Sequence, residues 1–258
     1  MKTPLYGLNG QKRGDIDTGR AFSAAVRADL IQRAFLSERS RQRQPYGADP
    51  LAGKRTSAHY HGLRHYKYTM MNKEMARISR IHGQGYLNYT ARFVPQAIKG
   101  RKAHPPKAEK IWTEKMNKKE WQKALWSALA ATANTTLVEQ RGHLPGGLAL
   151  PVVVSGLEQV KKTKEVEQLL VALGLEKELD RASERKVRAG KGKRRGRKYV
   201  EKKGPLIVTG KGSTLPTVAG TDCVTVDKLT VADLAPGSAP GRLCVWSEKA
   251  VEELRDGK

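Results

Sequence analysis

The apolar residues near the start of this 258-residue chain follow a helical period. Between Val26 and Phe35 they recur at helical intervals, and arginines occupy the other side. This pattern predicts a helix over about Arg27–Arg41. Closer to the amino terminus, Leu5–Leu8 followed by the turn Asn9-Gly10 predicts a small hairpin.

A second helix is predicted between Asn117, as its N-cap, and about Ala133. Its apolar side carries Trp121 and Leu125, and the helical period favours core positions for the tryptophans, Trp121 and Trp126, over a role in stacking bases. Lysines occupy its other side and are expected to face solvent or a polyanion.

Strands and helices alternate from Leu150 onward. The continuous apolar run Leu150–Val154 is typical of a strand buried on both faces. Val166–Leu173 then shows a helical period that Gly174 is placed to end, and Ser247 can cap a last helix. Three more short strands are predicted at Leu206–Val208, Cys223–Val226 and Leu243–Trp246.

Alternation of this kind predicts an α/β fold, a three-layer α/β/α domain whose mostly parallel sheet has about four strands. Residues 41–115 lie between the first two predicted helices, and a structureless loop of that length is improbable inside a compact domain. We therefore predict a globular domain of residues 1–42 and 111–258, interrupted by an extended basic loop over 43–110. A second basic segment, 181–204, lies within the globular domain.

The charge of the chain is concentrated in the same two places. Residues 40–110 hold fifteen Lys and Arg against three Asp and Glu, and residues 181–212 hold thirteen against two. The rest of the chain supplies only +1 of the net charge of +24. Two dense basic blocks separated by a nearly neutral body indicate two surfaces for a polyanion.

Aromatic residues indicate that this polyanion is RNA. Six of the eight tyrosines and five of the six histidines lie in the first block, where cations can hold phosphates and flat rings can stack on unpaired bases. The candidate RNA-binding residues of the first block are Arg41, Arg43, Tyr46, Lys54, Arg55, His59, His61, Arg64, His65, Lys67, Lys73, Arg77, Arg80, Arg92, Lys99, Arg101, Lys102, His104, Lys107 and Lys110. Those of the second block are Arg185, Lys186, Arg188, Lys191, Lys193, Arg194, Arg195, Arg197 and Lys198.

Local patterns add three expectations for these blocks. The opening segment, Gln44–Ser57, is predicted to follow a compact bent path without hydrogen-bonded structure, and the methionines between Met70 and Ile78 suggest one short helix. Gly100 is expected to allow a close backbone approach. In the second block, glycines between the cations suggest a flexible backbone that follows a phosphate chain.

A metal site is the alternative for the spacing of His59, His61 and His65. We disfavour it, because neither Cys nor an acid accompanies these histidines and the dense neighbouring cations repel a metal ion. We therefore expect no metal and no cofactor, apart from Mg²⁺ that accompanies the RNA.

Other function classes lack their signatures. The longest apolar runs have about five residues, far below the ~20 that span a bilayer, and the absence of an apolar leader favours a soluble intracellular protein. Gly204–Gly212 resembles a phosphate-binding loop, but its glycine spacing is wrong and the required Ser or Thr is missing. We expect neither an enzyme nor a small-molecule substrate. An RNA-modifying enzyme with an α/β core and a general nucleic-acid-binding protein are the alternatives.

Three stretches carry a family resemblance: Gln44–Ala58, Val94–Lys110 and Glu184–Tyr199. They resemble the archaeal and eukaryotic branch of the large-subunit ribosomal protein L4 (uL4) family. The order and spacing also match, from Val26–Leu30 to Leu234–Gly237, so the resemblance covers essentially the whole chain.

The resemblance implies a structural constituent of the large ribosomal subunit, a primary binder of 23S-type rRNA in the cytoplasm. Its globular domain would lie on the outside of the subunit, and its loop would help to form the wall of the peptide exit tunnel and support assembly. Neighbouring ribosomal proteins and the nascent peptide would be its other partners, without a membrane. The candidate residues facing the tunnel are Arg64, Tyr66, Tyr68, Met71, Arg77, Arg80 and His82.

Overall fold

The structure is a computed structural model that describes residues 2–213 and 215–256. Its internal contacts divide the chain into two compact units. We call Met1–Gln42 with Thr113–Lys258 the globular unit, and Arg43–Trp112 the loop unit. Each described helix is too short or too polar to cross a lipid bilayer.

A six-stranded sheet forms the centre of the globular unit, in the order β2-β1-β3-β8-β6-β7. Within this sheet, β1 and β2 pair antiparallel and the other described pairs are parallel, so the predicted mostly parallel sheet is confirmed. The amino-terminal hairpin joins this sheet through β1, which raises the strand number above the predicted four. The strands are β1 (Lys2–Tyr6), β2 (Lys12–Asp17), β3 (Val152–Val154), β4 (Arg185–Val187), β5 (Tyr199–Glu201), β6 (Leu206–Thr209), β7 (Asp222–Thr225) and β8 (Cys244–Ser247).

The four predicted helices begin and end close to their predicted positions, and three further helices, Thr135–Gln140, Glu176–Ser183 and Val231–Leu234, were not predicted. Gly174, with a φ of +78°, follows the helix that it was expected to end. Ser247 accepts a hydrogen bond from the backbone N–H of Ala250 at 3.1 Å and so caps the last helix. The helices are α1 (Ala28–Arg41), α2 (Lys118–Thr132), α3 (Thr135–Gln140), α4 (Thr163–Ala172), α5 (Glu176–Ser183), α6 (Val231–Leu234) and α7 (Glu248–Asp256).

Alternate residues of the central strands face two separate apolar cores, which confirms the three-layer arrangement. Val153 and Trp246 pack with α1, α2, α6 and α7 on one face of the sheet. Val152 and Val245 pack with α4 on the other face. Trp121 packs against the first core and donates a hydrogen bond to Glu38 Oε1 at 2.7 Å, so its predicted core role is confirmed. The same prediction is wrong for Trp126, which is 41% exposed.

Two segments of the loop unit lie side by side and form what we call the stem, residues 47–54 and 100–108. Ala48 N–H donates to Pro106 O at 2.9 Å, and Lys54 N–H donates to Leu51 O at 2.9 Å. The expectation that the opening segment lacks hydrogen-bonded structure is therefore wrong. A Cβ on Gly100 would lie 1.9 Å from Val94 O, so this position requires the close backbone approach that glycine allows.

Beyond the stem lies the tip, residues 57–93. Isolated β-bridges join His59 to Arg80 and Arg80 to Ala91. Met70 and Ile81 are buried there. The short helix suggested by the methionines is absent from this described segment, because Asn72 and Glu74 have φ values of +57° and +51° that a right-handed helix excludes.

Candidate RNA-binding surfaces

Three candidate residues meet around the indole of Trp112. The guanidinium of Arg43 lies 3.8 Å from the ring centroid, and Lys110 Nζ lies 4.3 Å from it. Tyr46 stacks on the same indole at 5.7 Å with planes 20° apart. Sequence reasoning missed Trp112, although its position two residues after Lys110 was a usable signal. The arrangement fixes two cations and two flat rings in one place, as binding to a nucleic acid requires.

A groove runs between the two segments of the stem. Lys54 comes from the outgoing segment, while Arg101, Lys102 and Lys107 come from the returning one. Prolines of both segments complete its lining and restrict the backbone on either side. The stem thus brings Lys54 together with three cations from a segment that is distant in sequence, and the four can neutralise neighbouring phosphates of a nucleic-acid backbone.

Arg55 differs from its neighbour Lys54, because its guanidinium pairs with Asp49 and lies 3.2 Å from Oδ1 through Nη2. The N–H of Leu51 and the guanidinium of Arg55 hold the pKa of Asp49 below its usual range. Arg55 therefore helps to fix the turn that presents Lys54, and its charge is partly neutralised.

Rings cluster in the tip around His61. Its ring centroid lies 4.0 Å from that of His59, 4.8 Å from that of His82 and 4.1 Å from that of Tyr66. Burial, followed by repulsion from His59 and His82, lowers the pKa of His61. The third histidine of the cluster is therefore His82, whereas His65 is exposed.

Several cations of the tip donate hydrogen bonds to other groups of the loop unit. Arg80 donates to Tyr89 O at 2.8 Å and to Ala76 O at 3.0 Å. Arg92 donates to Ile98 O at 2.9 Å, and Lys73 Nζ donates to the Tyr89 hydroxyl at 2.6 Å. These three residues position the tip, while the exposed candidates are better placed for phosphate contact. The exposed candidates of the first block include Arg64, His65, Lys67, Arg77, Lys99, Lys102, His104 and Lys107.

The second basic block forms a two-stranded antiparallel hairpin rather than the flexible segment that its glycines suggested. Arg185 pairs with Glu201 in the register of β4 and β5, and a 3₁₀ turn over Gly190–Arg195 joins the strands. Gly196 ends the turn with a φ of +73°. Arg188 donates from Nε to Arg197 O at 3.1 Å across the hairpin. The glycines therefore serve a defined turn, which presents the cations between them on an ordered edge.

Tyr199 lies between two cations of this hairpin. The guanidinium of Arg185 is 4.9 Å from the centroid of its ring, and Lys198 Nζ is 5.3 Å from it. Arg185 also pairs with Glu201, and Lys186 Nζ lies 3.2 Å from Glu184 Oε1. These pairs are exposed and contribute little to stability, so a phosphate can replace the carboxylates at small cost.

Hydrogen bonds fix the base of the hairpin to the globular unit. Arg181 Nη2 donates to Lys203 O at 2.9 Å, and Arg242 Nε donates to Gly204 O at 3.0 Å. A Cβ on Gly204 would lie 1.9 Å from Gly220 O, so the chain leaves the hairpin through a site that admits only glycine.

Comparison with known proteins now adds to these observations. A family model described as "Ribosomal protein L4/L1 family" matches residues 18–257. The chain belongs to this family. The matched region of the L4/L1 model starts directly after β2 and contains both basic surfaces.

Named members of the L4/L1 family cover the chain almost completely. A protein of Nanoarchaeum equitans named large ribosomal subunit protein uL4 is 49% identical over 266 residues, which cover 100% of this chain and 99% of that protein. Proteins of the same name from Archaeoglobus fulgidus and Methanocaldococcus jannaschii are 45% and 44% identical, each over at least 98% of both chains. The predicted archaeal branch of the L4 family is thereby confirmed.

This L4/L1 family member also exposes apolar side chains in its loop unit. Tyr86 is 94% exposed, and Ile98 and Ile111 are more than 80% exposed. Positive φ values at Gly83 and Gly85 produce the turn that presents Tyr86, which the sequence-based tip residues did not include. Of the predicted tunnel-facing residues, Arg64, Tyr66 and Arg77 are exposed, whereas Tyr68, Met71, Arg80 and His82 are partly buried.

A buried ionic network lies next to the hairpin base. Glu178 Oε1 accepts hydrogen bonds from Arg181 Nη2 and His143 Nδ1, each at 2.6 Å. Burial lowers the pKa of His143, so its imidazole is neutral and donates to the carboxylate. Burial alone would raise the pKa of Glu178, but the hydrogen bonds from Arg181 and His143 outweigh it and lower that pKa. Glu178 thus fixes the position of Arg181, which donates to Lys203 O in the segment that follows β5.

Proposed function

We propose that this chain is a structural constituent of the large ribosomal subunit and binds 23S-type rRNA through two basic surfaces. The loop surface consists of the cations and rings of Arg43–Trp112, and the hairpin surface consists of those of Arg185–Glu201. The observation that carries the proposal is that both cores of the globular unit are built from residues outside these surfaces. The basic residues are therefore available to RNA without loss of the fold.

Charge and shape support rRNA as the ligand. The stem groove offers Lys54, Arg101, Lys102 and Lys107 to a phosphate backbone. The Trp112 cluster and Tyr199 place flat rings beside cations, which suits unpaired bases and sugars of folded RNA. The name of the relatives, large ribosomal subunit protein uL4, supports the same assignment.

We further propose that the tip contributes to the wall of the peptide exit tunnel, where it meets the nascent peptide. The resemblance of Gln44–Ala58 and Val94–Lys110 to the L4 family supports this placement. The exposed ring of Tyr86 supports it as well, since an exposed aromatic side chain at a turn suits contact with a passing chain or with rRNA. Ile98 and Ile111 are suited to contact neighbouring ribosomal proteins. The role is structural rather than catalytic.

Co-sedimentation with large subunits under increasing salt tests the rRNA contact. The tagged protein is expressed in archaeal cells, and subunits are washed at rising salt concentration. We expect the unmodified protein to resist moderate salt. Replacing Lys193, Arg194 and Arg195 by Gln should release it at lower salt, since each lost phosphate contact reduces the log–log salt slope by about 0.7–0.9.

A matched control changes the same number of charges elsewhere. Lys161, Lys162 and Lys164 are exposed at the start of α4 and lie outside both surfaces. Their replacement by Gln should leave the salt resistance unchanged. Equal release of both triple variants, or failure of the unmodified protein to co-sediment, would contradict the proposal.

A further inference from the structure

Three histidines of the tip point ring nitrogens at one another. One ring nitrogen of each of His59, His61 and His82 lies within 4.8 Å of a nitrogen of the other two. The tip brings them together, since His82 lies far from the others in sequence and the β-bridge between His59 and Arg80 aligns the two segments. Tyr66 and Tyr68 pack on the cluster through His61 and His82, at centroid distances of 4.1 and 5.0 Å.

Hydrogen bonds to backbone carbonyls fix which nitrogen of two rings carries the proton. His59 Nδ1 lies 3.0 Å from Ser57 O, and His82 Nε2 lies 3.2 Å from His59 O. A carbonyl accepts only, so the proton of each ring resides on the nitrogen that contacts the carbonyl. The lone pairs of His59 Nε2 and His82 Nδ1 are thereby free for another ligand. Metal-binding histidines are oriented in the same way, by donating their second N–H to a carbonyl or carboxylate.

Two nitrogens of the cluster are buried without a partner. His61 Nε2 and His82 Nδ1 have no hydrogen-bond partner among the residues that the structure describes. Buried polar atoms are normally satisfied, and an unpaired one calls for an explanation such as an ion. Two such atoms in one cluster indicate a ligand that accepts lone pairs from both.

We propose that His59, His61 and His82 bind a Zn²⁺-type transition-metal ion in the tip of the loop unit. Imidazole nitrogen suits Zn²⁺ and its first-row neighbours, whereas Mg²⁺ and Ca²⁺ prefer oxygen. Tetrahedral Zn²⁺ with bonds of about 2.0–2.1 Å places its ligand nitrogens roughly 3.4 Å apart, so the cluster needs to contract by about 1.4 Å at most. Water completes the fourth position in the free protein.

Two of the cations near the cluster in sequence are engaged by neighbouring groups of the tip. The guanidinium of Arg80 donates to Tyr89 O and Ala76 O, and Lys73 Nζ donates to the Tyr89 hydroxyl. The sequence-based objection concerned His59, His61 and His65, which is a different set from the one that the fold assembles.

The metal would join two segments of a tip that has a small apolar core. Met70 and Ile81 are its buried apolar side chains. A metal bound to one histidine from the second segment and two from the first would hold both segments together, as metals do in other small structural units. The inference is independent of the proposed rRNA contacts, because it concerns the isolated chain.

Titration of the full-length protein with Co²⁺ tests the inference directly. Tetrahedral Co²⁺ with nitrogen ligands absorbs strongly in the visible range, and Zn²⁺ added afterwards should abolish the absorption. We expect one equivalent to bind, and His61→Ala and His82→Ala each to weaken binding by about 100-fold or more, since loss of outer contacts alone costs 10–100-fold. His65→Ala and His104→Ala are the matched controls and should bind as the unmodified protein does.

The far-ultraviolet circular dichroism of each variant shows whether the globular unit remains folded. Absence of tetrahedral Co²⁺ absorption from the unmodified protein would overturn the proposal. Binding that His61→Ala and His82→Ala retain, or that the two controls lose equally, would also overturn it, because the metal would then be adventitious.

Discussion

Different interactions stabilise the interior of the globular unit and the interior of the loop unit. In the globular unit, alternate residues of β3, β6 and β8 enter two apolar cores on opposite faces of the sheet. In the loop unit, Met70 and Ile81 are the buried apolar residues, and Tyr86 is almost fully exposed. A chain segment with so little burial relies on backbone hydrogen bonds, glycine contacts and a partner to offset its conformational entropy.

This difference leads us to expect that RNA binding and folding are separable in this L4/L1 family member. Fully burying a large apolar side chain contributes about 1.5–3 kcal/mol, and the globular unit gains this many times over. The cations of the loop unit contribute little to folding, since exposed charges are well solvated. These cations can therefore be numerous on the proposed rRNA-binding surface without cost to the core.

Among the changes that test this difference, Trp246→Ala is expected to have the largest effect on the free energy of unfolding. Trp246 is fully buried in β8 and packs edge-on against Phe22 at 5.1 Å. Trp246→Ala should reduce the free energy of unfolding by about 3–5 kcal/mol, since it loses transfer energy and leaves a cavity. Met70→Ala in the tip should leave the global unfolding free energy within about 0.5 kcal/mol of the unmodified value. Urea titration monitored by circular dichroism measures both, and equal losses would contradict separate units.

Glu178→Gln should give the next largest effect, about 3 kcal/mol, because Arg181 and His143 lose their buried carboxylate. The pKa values of Glu178 and His143 are both lower in the folded state than usual. Each group then contributes stability above its unfolded pKa, near 4.5 for Glu178 and 6.5 for His143, which is lost as the pH falls through the folded value.

Urea unfolding at several pH values checks this prediction. The unmodified protein should lose stability as the solution is acidified, and the Glu178→Gln variant should approach it at the acid end because Glu178 is then protonated. Asp49→Asn, at an exposed carboxylate of the stem, is the control and should have little effect. A gap between the variant and the unmodified protein that stays constant with pH would contradict the account.

The sequence predicted the globular unit better than the loop unit, and the reason is physical. Burial in the globular unit is visible in the local pattern of apolar residues, as in the helical period from Val26 to Phe35 and the apolar run Leu150–Val154. The loop unit has almost no core, so the contacts between its segments do not appear in the local apolar pattern. The Trp112 cluster and the contact between His61 and His82 arise from segments distant in sequence.

Two predictions made from local sequence patterns were wrong, because the backbone conformation of particular residues determined the structure there. The spacing of methionines suggested a helix, yet Asn72 and Glu74 take left-handed conformations that exclude it. The glycines of the second basic block suggested flexibility, yet they serve the turn of a hairpin. Gly100 was interpreted correctly, because a close backbone approach is a property of a single residue.

Neutralising the stem groove should affect RNA binding and leave folding unchanged. Replacing Lys54, Arg101 and Lys102 by Gln should lower the slope of log K against log salt by about 2–3 for a large-subunit rRNA fragment, as expected for three phosphate contacts. Filter binding at several salt concentrations measures the slope. The triple Gln variant of Lys161, Lys162 and Lys164 is the control, and an equal change in that variant would contradict a specific groove.

Deletion of residues 62–84 should have the smallest effect on the globular unit. Both apolar cores consist of residues outside this range, so the cooperative thermal transition should keep its midpoint and its enthalpy. Incorporation of the variant into large subunits should be altered, because the tip is missing. Calorimetry and sucrose-gradient sedimentation measure the two quantities. A broad, non-cooperative transition would contradict a separable loop unit.

Amide hydrogen exchange of the metal-free protein, alone and in the large subunit, tests the central difference between the two units most directly. The account predicts strong protection of β3, β6 and β8 in the free protein, fast exchange throughout residues 43–112, and protection of that range once rRNA surrounds it. Protection of residues 43–112 equal to that of the sheet strands in the free protein would contradict it.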